Sequence, residues 1–253
     1  MLRILRQPRW LAFAAFAVVL ALGCARLGLW QLSRLEDRQA ARALLEGNLA
    51  APPAPVDDVL VPGRAPDPGQ EWRRVTARGR YDAAGQVLVR NRSLEGAGGS
   101  YVLVPLGTDD GAVVLVNRGW IPRTPRASER VDVPPAPAGD VQILARVRVG
   151  ESVSDDAALG RAELPQPSVG RLDPLRIASS SARPVYGGYV ELVEERPAPP
   201  LAPRLMPVPD IGAGPHLAYG MQWFLFAVFA LGGFVVLLRR ELRETVAARA
   251  RRA

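Results

Sequence analysis

His216-Leu-Ala-Tyr219-Gly-Met-Gln222-Trp223-Phe-Leu-Phe-Ala-Val-Phe-Ala-Leu-Gly-Gly-Phe-Val-Val-Leu-Leu238 carries no acidic or basic side chain after its single histidine and stops at Arg239-Arg240. As a helix, Leu217 to Leu238 spans about 33 Å, enough for a bilayer core of about 30 Å. The stretch reads as a transmembrane helix, and the rest of the chain is interpreted from it.

A second uncharged run, Trp10 to Ala25, lies near the N-terminus, and its apolar character resumes after Arg26 with Leu27-Gly-Leu-Trp-Gln-Leu32. Trp10 and Trp30 would stand about 30 Å apart on a helix, which suits interfacial tryptophans at two headgroup layers. A cleaved signal peptide is the rival reading, because Arg3, Arg6 and Arg9 precede a short apolar run ending in small residues. A lipid-attached Cys24 is a weaker rival, since Ala21 stands where such sites usually carry leucine. Retention as a first span is the reading adopted.

Charge orients the two spans. Arg3, Arg6 and Arg9 flank the first, and Arg239, Arg240, Arg243, Arg249, Arg251 and Arg252 follow the second. By the positive-inside tendency both termini are cytoplasmic and the intervening chain lies outside. Between Leu29 and Pro215 there are 22 arginines against 23 acidic residues, so the net charge of +7 resides at the ends. The sequence pI near 10.6 is therefore a topology signal. A nucleic-acid footprint would instead concentrate basic residues on a soluble face. The expected division is a cytoplasmic N-terminus (1–9), a first span (10–32), an extracytoplasmic domain (33–215), a second span (216–238) and a basic cytoplasmic tail (239–253).

All 32 basic residues are arginine, and one cysteine excludes an intrachain disulfide, so the outer domain must be held by its core. The first helix is expected to run on through Gln31 to Glu46, stopping near Gly47-Asn48, with Arg34, Arg38 and Arg42 on one solvated or lipid-phosphate-facing side. Ala50 to Gly69, rich in proline, reads as an extended connector. Strand patterns follow at Trp72–Tyr81, Gln86–Arg92, Ser100–Leu106, Ala112–Arg118, Asp140–Val149 and Tyr186–Val193. The first two and the next two, joined by short Gly/Asp-containing links, read as hairpins. Gly96-Ala-Gly98-Gly99 is a turn between strands, and a short helix is expected near Asp173-Pro174. The expected fold is thus two transmembrane helices flanking a β-rich (α+β) extracytoplasmic domain, a mostly antiparallel sheet or open barrel of about six strands.

Much chemistry is excluded by composition. Without lysine there is no Walker lysine, Schiff base or Ser-Lys dyad, and one His with one Cys makes no tetrahedral Cys/His zinc site. The scattered Cys24, Met206, Met221 and His216 do not form the cluster a copper carrier needs. The acidic pairs, Asp109-Asp110 and Glu194-Glu195 among them, read as solvated surface, and an enzyme is not expected. Asn117-Arg118-Gly119-Trp120 reads either as a packed strand terminus or as an anchor for the membrane interface or a partner.

His216 is the one candidate ligand. At the outer mouth of the second span a neutral imidazole can offer a nitrogen to a haem iron. His216, Tyr219, Gly220 and Trp223 share one helical stripe, with Gly220 leaving room for a flat macrocycle, and Arg26 on the other span is expected at the same depth to pair with a propionate. An interfacial histidine beside an aromatic belt is the competing reading.

Four motifs extend the argument: Leu27-Gly28-Leu-Trp30-Gln31-Leu32-Ser-Arg34-Leu35; Tyr101-Val-Leu-Val-Pro105-Leu106; Val114-Leu-Val-Asn117-Arg118-Gly119-Trp120-Ile121-Pro122; and His216-Leu-Ala-Tyr219-Gly-Met-Gln222-Trp223-Phe224. Their identities and order resemble the surfeit locus protein 1 family of cytochrome c oxidase assembly factors. The resemblance implies a non-catalytic role in bringing haem a to the large subunit of a haem-copper oxidase, with His216 as metal ligand and Tyr219, Trp223 and Arg26 lining or pairing. It implies as partners that subunit, the haem a synthase and the lipid bilayer, in a bacterial plasma membrane or, in a eukaryote, the mitochondrial inner membrane. A scaffold that holds the oxidase subunit without haem is the alternative.

Overall fold

The computed structural model describes residues 7–123, 131–151, 166–212 and 214–251. The acidic loop expected at 151–163, apart from Glu151, lies outside the described residues, as do Arg3, Arg6 and Arg252. The chain divides into two compact units, residues 1–42 with 210–253, and residues 43–209.

The first unit is a pair of helices, formed by α1 (Pro8–Ala50) up to Arg42 and the last helix, His216–Ala250. Both are long and apolar enough to cross a membrane. They run antiparallel: Arg9 pairs with Glu241 at 2.7 Å, Trp10 and Phe13 contact Phe234, and Gln31 meets His216. In α1 the buried positions Ala17, Ala21, Cys24 and Gly28 recur at alternating four- and three-residue spacing. That period keeps one narrow stripe facing the partner helix, and small residues on it let the two backbones approach. Gly28 marks a close approach, where a Cβ would stand 2.8 Å from the Phe224 ring.

The second unit is one mixed sheet. Its strands are β1 (Ala54–Pro55), β2 (Arg74–Tyr81), β3 (Val87–Leu94), β4 (Ala97–Thr108), β5 (Val113–Pro122), β6 (Asp140–Arg148), β7 (Ser168–Val169) and β8 (Val185–Arg196). They lie in the order β1-β2-β6-β8-β5-β4-β3-β7, with a further three-residue pairing between β2 and β4. The six long strands sit where alternation placed them, but the sheet has eight strands and is mixed, because β1–β2, β3–β7 and β5–β8 pair in parallel. The expected hairpin between β2 and β3 does not form. β2 pairs with β6 over seven residues, burying Val75 and Ala77 with Ile143 and Ala145. The link Asp82–Gly85 folds instead as a short turn capped by the Asp82 carboxylate. The hairpin of β4 with β5 does form, and β3 with β4 makes another through Glu95-Gly96, both at positive φ as the tightest hairpin turns require.

β5 lies between β4 and β8 and is buried from Val113 to Ile121, so both faces carry core. Val114 and Val116 face one apolar cluster and Leu115 another, as the two-residue strand period dictates. The proline-rich connector departs from the extended reading: after α1 ends ahead of Pro52-Pro53, a one-turn helix α2 (Val56–Val59) places Val56 and Leu60 in the core. The helix also ends at Ala50, two residues beyond Gly47-Asn48, and Asn48 donates to the Gly69 and Glu71 carbonyls, both at 2.8 Å. The short helix α3 (Pro174–Ile177) forms as expected, with the Asp173 carboxylate accepting from Arg176 N–H.

Two acidic residues read as surface are structural. Asp110 accepts from the Thr108 and Tyr186 hydroxyls and from Ala112 N–H. Burial opposes its ionisation, but those donors outweigh burial and hold the carboxyl below its ordinary value. Glu195 is buried against Arg118, Nη2 to Oε1 at 2.8 Å, and the Arg118 guanidinium also lies over the Tyr81 ring and donates to the Pro134 carbonyl. Burial, and then the Glu195 charge, push the Tyr81 hydroxyl above its ordinary value, so the ring stays neutral. Asn117-Arg118-Gly119-Trp120 is therefore not an outward anchor. Arg118 is the extra residue of a bulge, Val102 pairing with Gly119 and Leu103 with Asn117, and Trp120 is held by Arg92 and Arg204 backbone.

Candidate functional site

The helix pair also positions the sequence-predicted ligand. His216 opens the last helix of the chain, named α4 (His216–Ala250), and its Nδ1 lies 2.9 Å from Gln31 Oε1. A carbonyl oxygen accepts, so Nδ1 carries the proton in the neutral ring and Nε2 keeps its lone pair. This hydrogen bond fixes both the tautomer and the ring plane, as an outer partner does for a ligating histidine. Gln31 lies on the packed stripe of α1, three residues beyond Gly28.

The other expected site residues are placed differently from one another. Tyr219 is 49% exposed, on the flank of α4 next to His216. Trp223 is partly buried, edge-on to Phe226 at 5.8 Å. Arg26 is exposed, and two residues from Gly28 it points about 200° round the helix from the packed stripe. It also falls five residues short of Gln31, about 7.5 Å deeper along the axis. The structure thus brings His216 and Trp223 to one side of α4 and does not bring Arg26 to His216. Gly220 is buried against α1, its Cβ position 3.6 Å from Gln31 Cβ and Gly28 O, so it serves helix packing and does not open a slot.

Gly214, just ahead of α4, has a φ of +64°, the left-handed conformation. A Cβ there would meet His216 Cδ2 at 3.1 Å, His216 Nε2 at 3.3 Å and Arg38 Nη1 at 3.4 Å. The imidazole and the Arg38 guanidinium thus already close on this residue, and a side chain added there would be crowded by both. Among the described residues no three His, Cys, Asp or Glu come together, so His216 would ligate alone.

Gln31, Arg38 and Gly214 were not read from sequence as site residues. A signal was present: positions 17, 21, 24, 28, 31, 35 and 38 continue one heptad-like stripe that includes Gln31 and Arg38 and omits Arg26. Gln31→Leu removes the acceptor, and the ring should then shift from the Nδ1–H to the Nε2–H form. Ring 15N shifts of the chain's single histidine, recorded in detergent, check this; an unchanged Nδ1–H form in the variant would contradict the assignment.

Comparison with known proteins agrees with the motifs. The SURF1 family model matches residues 18–228. An uncharacterized SURF1-like protein of Mycobacterium tuberculosis (strain ATCC 25618 / H37Rv) is 32% identical over 244 residues, 96% of this chain and 88% of the relative. Human Surfeit locus protein 1 is 28% identical over 149 residues, 50% of this chain and 46% of its own length. A SURF1-like protein of Dictyostelium discoideum is 39% identical over 61 residues, 24% of this chain and 23% of the relative. On the length of the family match and the near full-length similarity to the mycobacterial relative, this chain belongs to the SURF1 family.

Proposed function

We propose that this chain is a two-span membrane protein that assists assembly of cytochrome c oxidase, holding haem a through His216 for insertion into the large oxidase subunit, and that it catalyses no reaction. The observation that carries this is the hydrogen bond from His216 Nδ1–H to Gln31, which leaves Nε2 as the lone-pair donor. Haem a brings an iron that accepts a neutral imidazole nitrogen and two carboxylates at the ring edge. His216 would hold the iron, Trp223 and Tyr219 offer aromatic surface on the same side of α4, and Gln31 keeps the imidazole oriented. Family membership supports the oxidase-assembly role.

The two apolar helices and the arginines beyond each of them support a plasma-membrane location, or the mitochondrial inner membrane in a eukaryote, with both termini cytoplasmic and the sheet unit outside. The lipid bilayer, the large oxidase subunit and the haem a synthase are the partners in this reading, and nucleic acid is not. The pyridine haemochrome spectrum of protein purified from a host that makes haem a tests it. His216→Ala should lose the pigment while the protein still folds and inserts. Equal haem a in parent and variant would remove His216 as ligand, and pigment in neither, with the oxidase subunit still co-purifying, would leave a non-haem scaffold.

A further inference from the structure

We propose that Arg26, Trp30 and Arg34 form a binding site for the phosphate of an anionic phospholipid at the outer end of the first span; the assignment rests on the two-span reading above. Between Arg9 and Arg34 the single charged residue is Arg26. It is exposed on α1, away from the stripe that packs on α4, and among the described residues it has no hydrogen bond, ion pair or ring contact. A cation one turn inside an apolar span is costly unless an anion meets it or its long side chain reaches the headgroup layer. Trp30 follows four residues later, about 6 Å nearer the outer surface and about 40° round the helix. It is 51% exposed. Arg34 follows by the same step, and its guanidinium carbon lies 5.7 Å from the Trp30 ring centroid, so this arginine turns back along the helix to the level of the tryptophan.

An arginine stem is long enough to snorkel by one turn, which brings the Arg26 guanidinium to the same level. Two guanidiniums and an indole N–H offer only donors, and the unesterified oxygens of a phosphodiester only accept. Charge selects among lipids. Arg34 lies 3.6 Å from Asp37 in an exposed pair, so two arginines against one aspartate leave one net positive charge. A phosphodiester carries one negative charge and closes that balance. Phosphatidylcholine and phosphatidylethanolamine bring a cation of their own, for which the site has only a carboxylate that is already paired. Lipids without a headgroup amine, phosphatidylglycerol being the simplest, are therefore the ligand class. A second copy of this chain supplies no anion at that depth, since neither apolar run contains an acidic residue.

The test uses the full-length protein labelled with 5-fluorotryptophan, in phosphatidylcholine nanodiscs with a rising fraction of phosphatidylglycerol. Trp30, one of five tryptophans, is assigned by the resonance lost in Trp30→Phe. In the parent its 19F resonance should shift saturably with the phosphatidylglycerol fraction. Arg26→Gln and Arg34→Gln should each raise the half-saturating fraction about fivefold. Arg26→Lys should retain part of the affinity, and Arg38→Gln all of it. A Trp30 resonance that stays still or drifts without saturating would overturn the site, as would equal half-saturation in the parent and Arg26→Gln. A shift seen only on adding the purified large oxidase subunit would also overturn it, and would make this face a protein contact. Alkaline carbonate extraction from vesicles tests the two-span reading separately. Release into the supernatant would remove both spans from the membrane, whereas a protein that stays with the lipid and is silent at Trp30 would overturn the phosphate site alone.

Discussion

Glu195→Ala is expected to destabilise the sheet unit by roughly 3–5 kcal/mol, the cost of leaving a buried charge without its partner. Arg118 has no exposed surface and Glu195 only 7%, and the pair joins β5 to β8 at the centre of the sheet. Tyr81 beneath the guanidinium is neutral and the Pro134 carbonyl is a single acceptor, so neither replaces the lost carboxylate. Native-state hydrogen exchange of β5 and β8 amides in the full-length protein in detergent reads the effect, and protection should fall by roughly two to four powers of ten. Arg118→Leu combined with Glu195→Leu should recover most of the loss, since removing both charges removes the unpaired one. A single variant whose protection falls less than tenfold would show that the pair is not what holds these strands.

The second large effect is expected at Gly119, where alanine should cost about 3 kcal/mol. Its φ of +138° is left-handed, and an added Cβ would stand 2.5 Å from the Arg204 carbonyl oxygen. Arg204 is itself fixed by reciprocal backbone hydrogen bonds with Trp120, at 2.7 and 2.9 Å, so the obstructing atom cannot swing aside as a side chain would. Gly98→Ala is the control, because nothing lies within 4 Å of its Cβ position. Thermal melts of the two variants should differ by several degrees, with Gly119→Ala the lower. Equal melting temperatures would mean that the Arg204 segment gives way without cost.

The bulge explains why this motif was readable as a packed strand terminus and yet left the outward-anchor reading open. Val113-Val-Leu-Val116 announces a strand buried on both faces, and Gly119 announces a bend. Nothing in those residues says that an arginine in the bulge turns inward, because its partner Glu195 lies 77 residues away. A charge next to a glycine at a strand end reads as surface until a buried carboxylate is known to face it. Glu194-Glu195 was misread for the same reason: adjacent strand residues face opposite sides, and here one carboxylate is exposed and the other buried.

Local pattern determined which segments of this protein are strands and which are long apolar helices, because alternation and helical period are properties of neighbouring residues. It also singled out His216, since a lone histidine at the mouth of an uncharged helix is conspicuous without any fold. Strand partners were decided only by tertiary structure: β2 leaves its sequence neighbour β3 for β6 because the apolar face of Val75 and Ala77 is matched by Ile143 and Ala145. The site was decided in the same way. Which arginine meets the histidine depends on how two helices align in register and rotation, and a shift of two residues turns a side chain to the opposite side of its helix. The packing of Gly28 on Phe224 sets that register, and it brings Gln31 to His216 and leaves Arg26 outside.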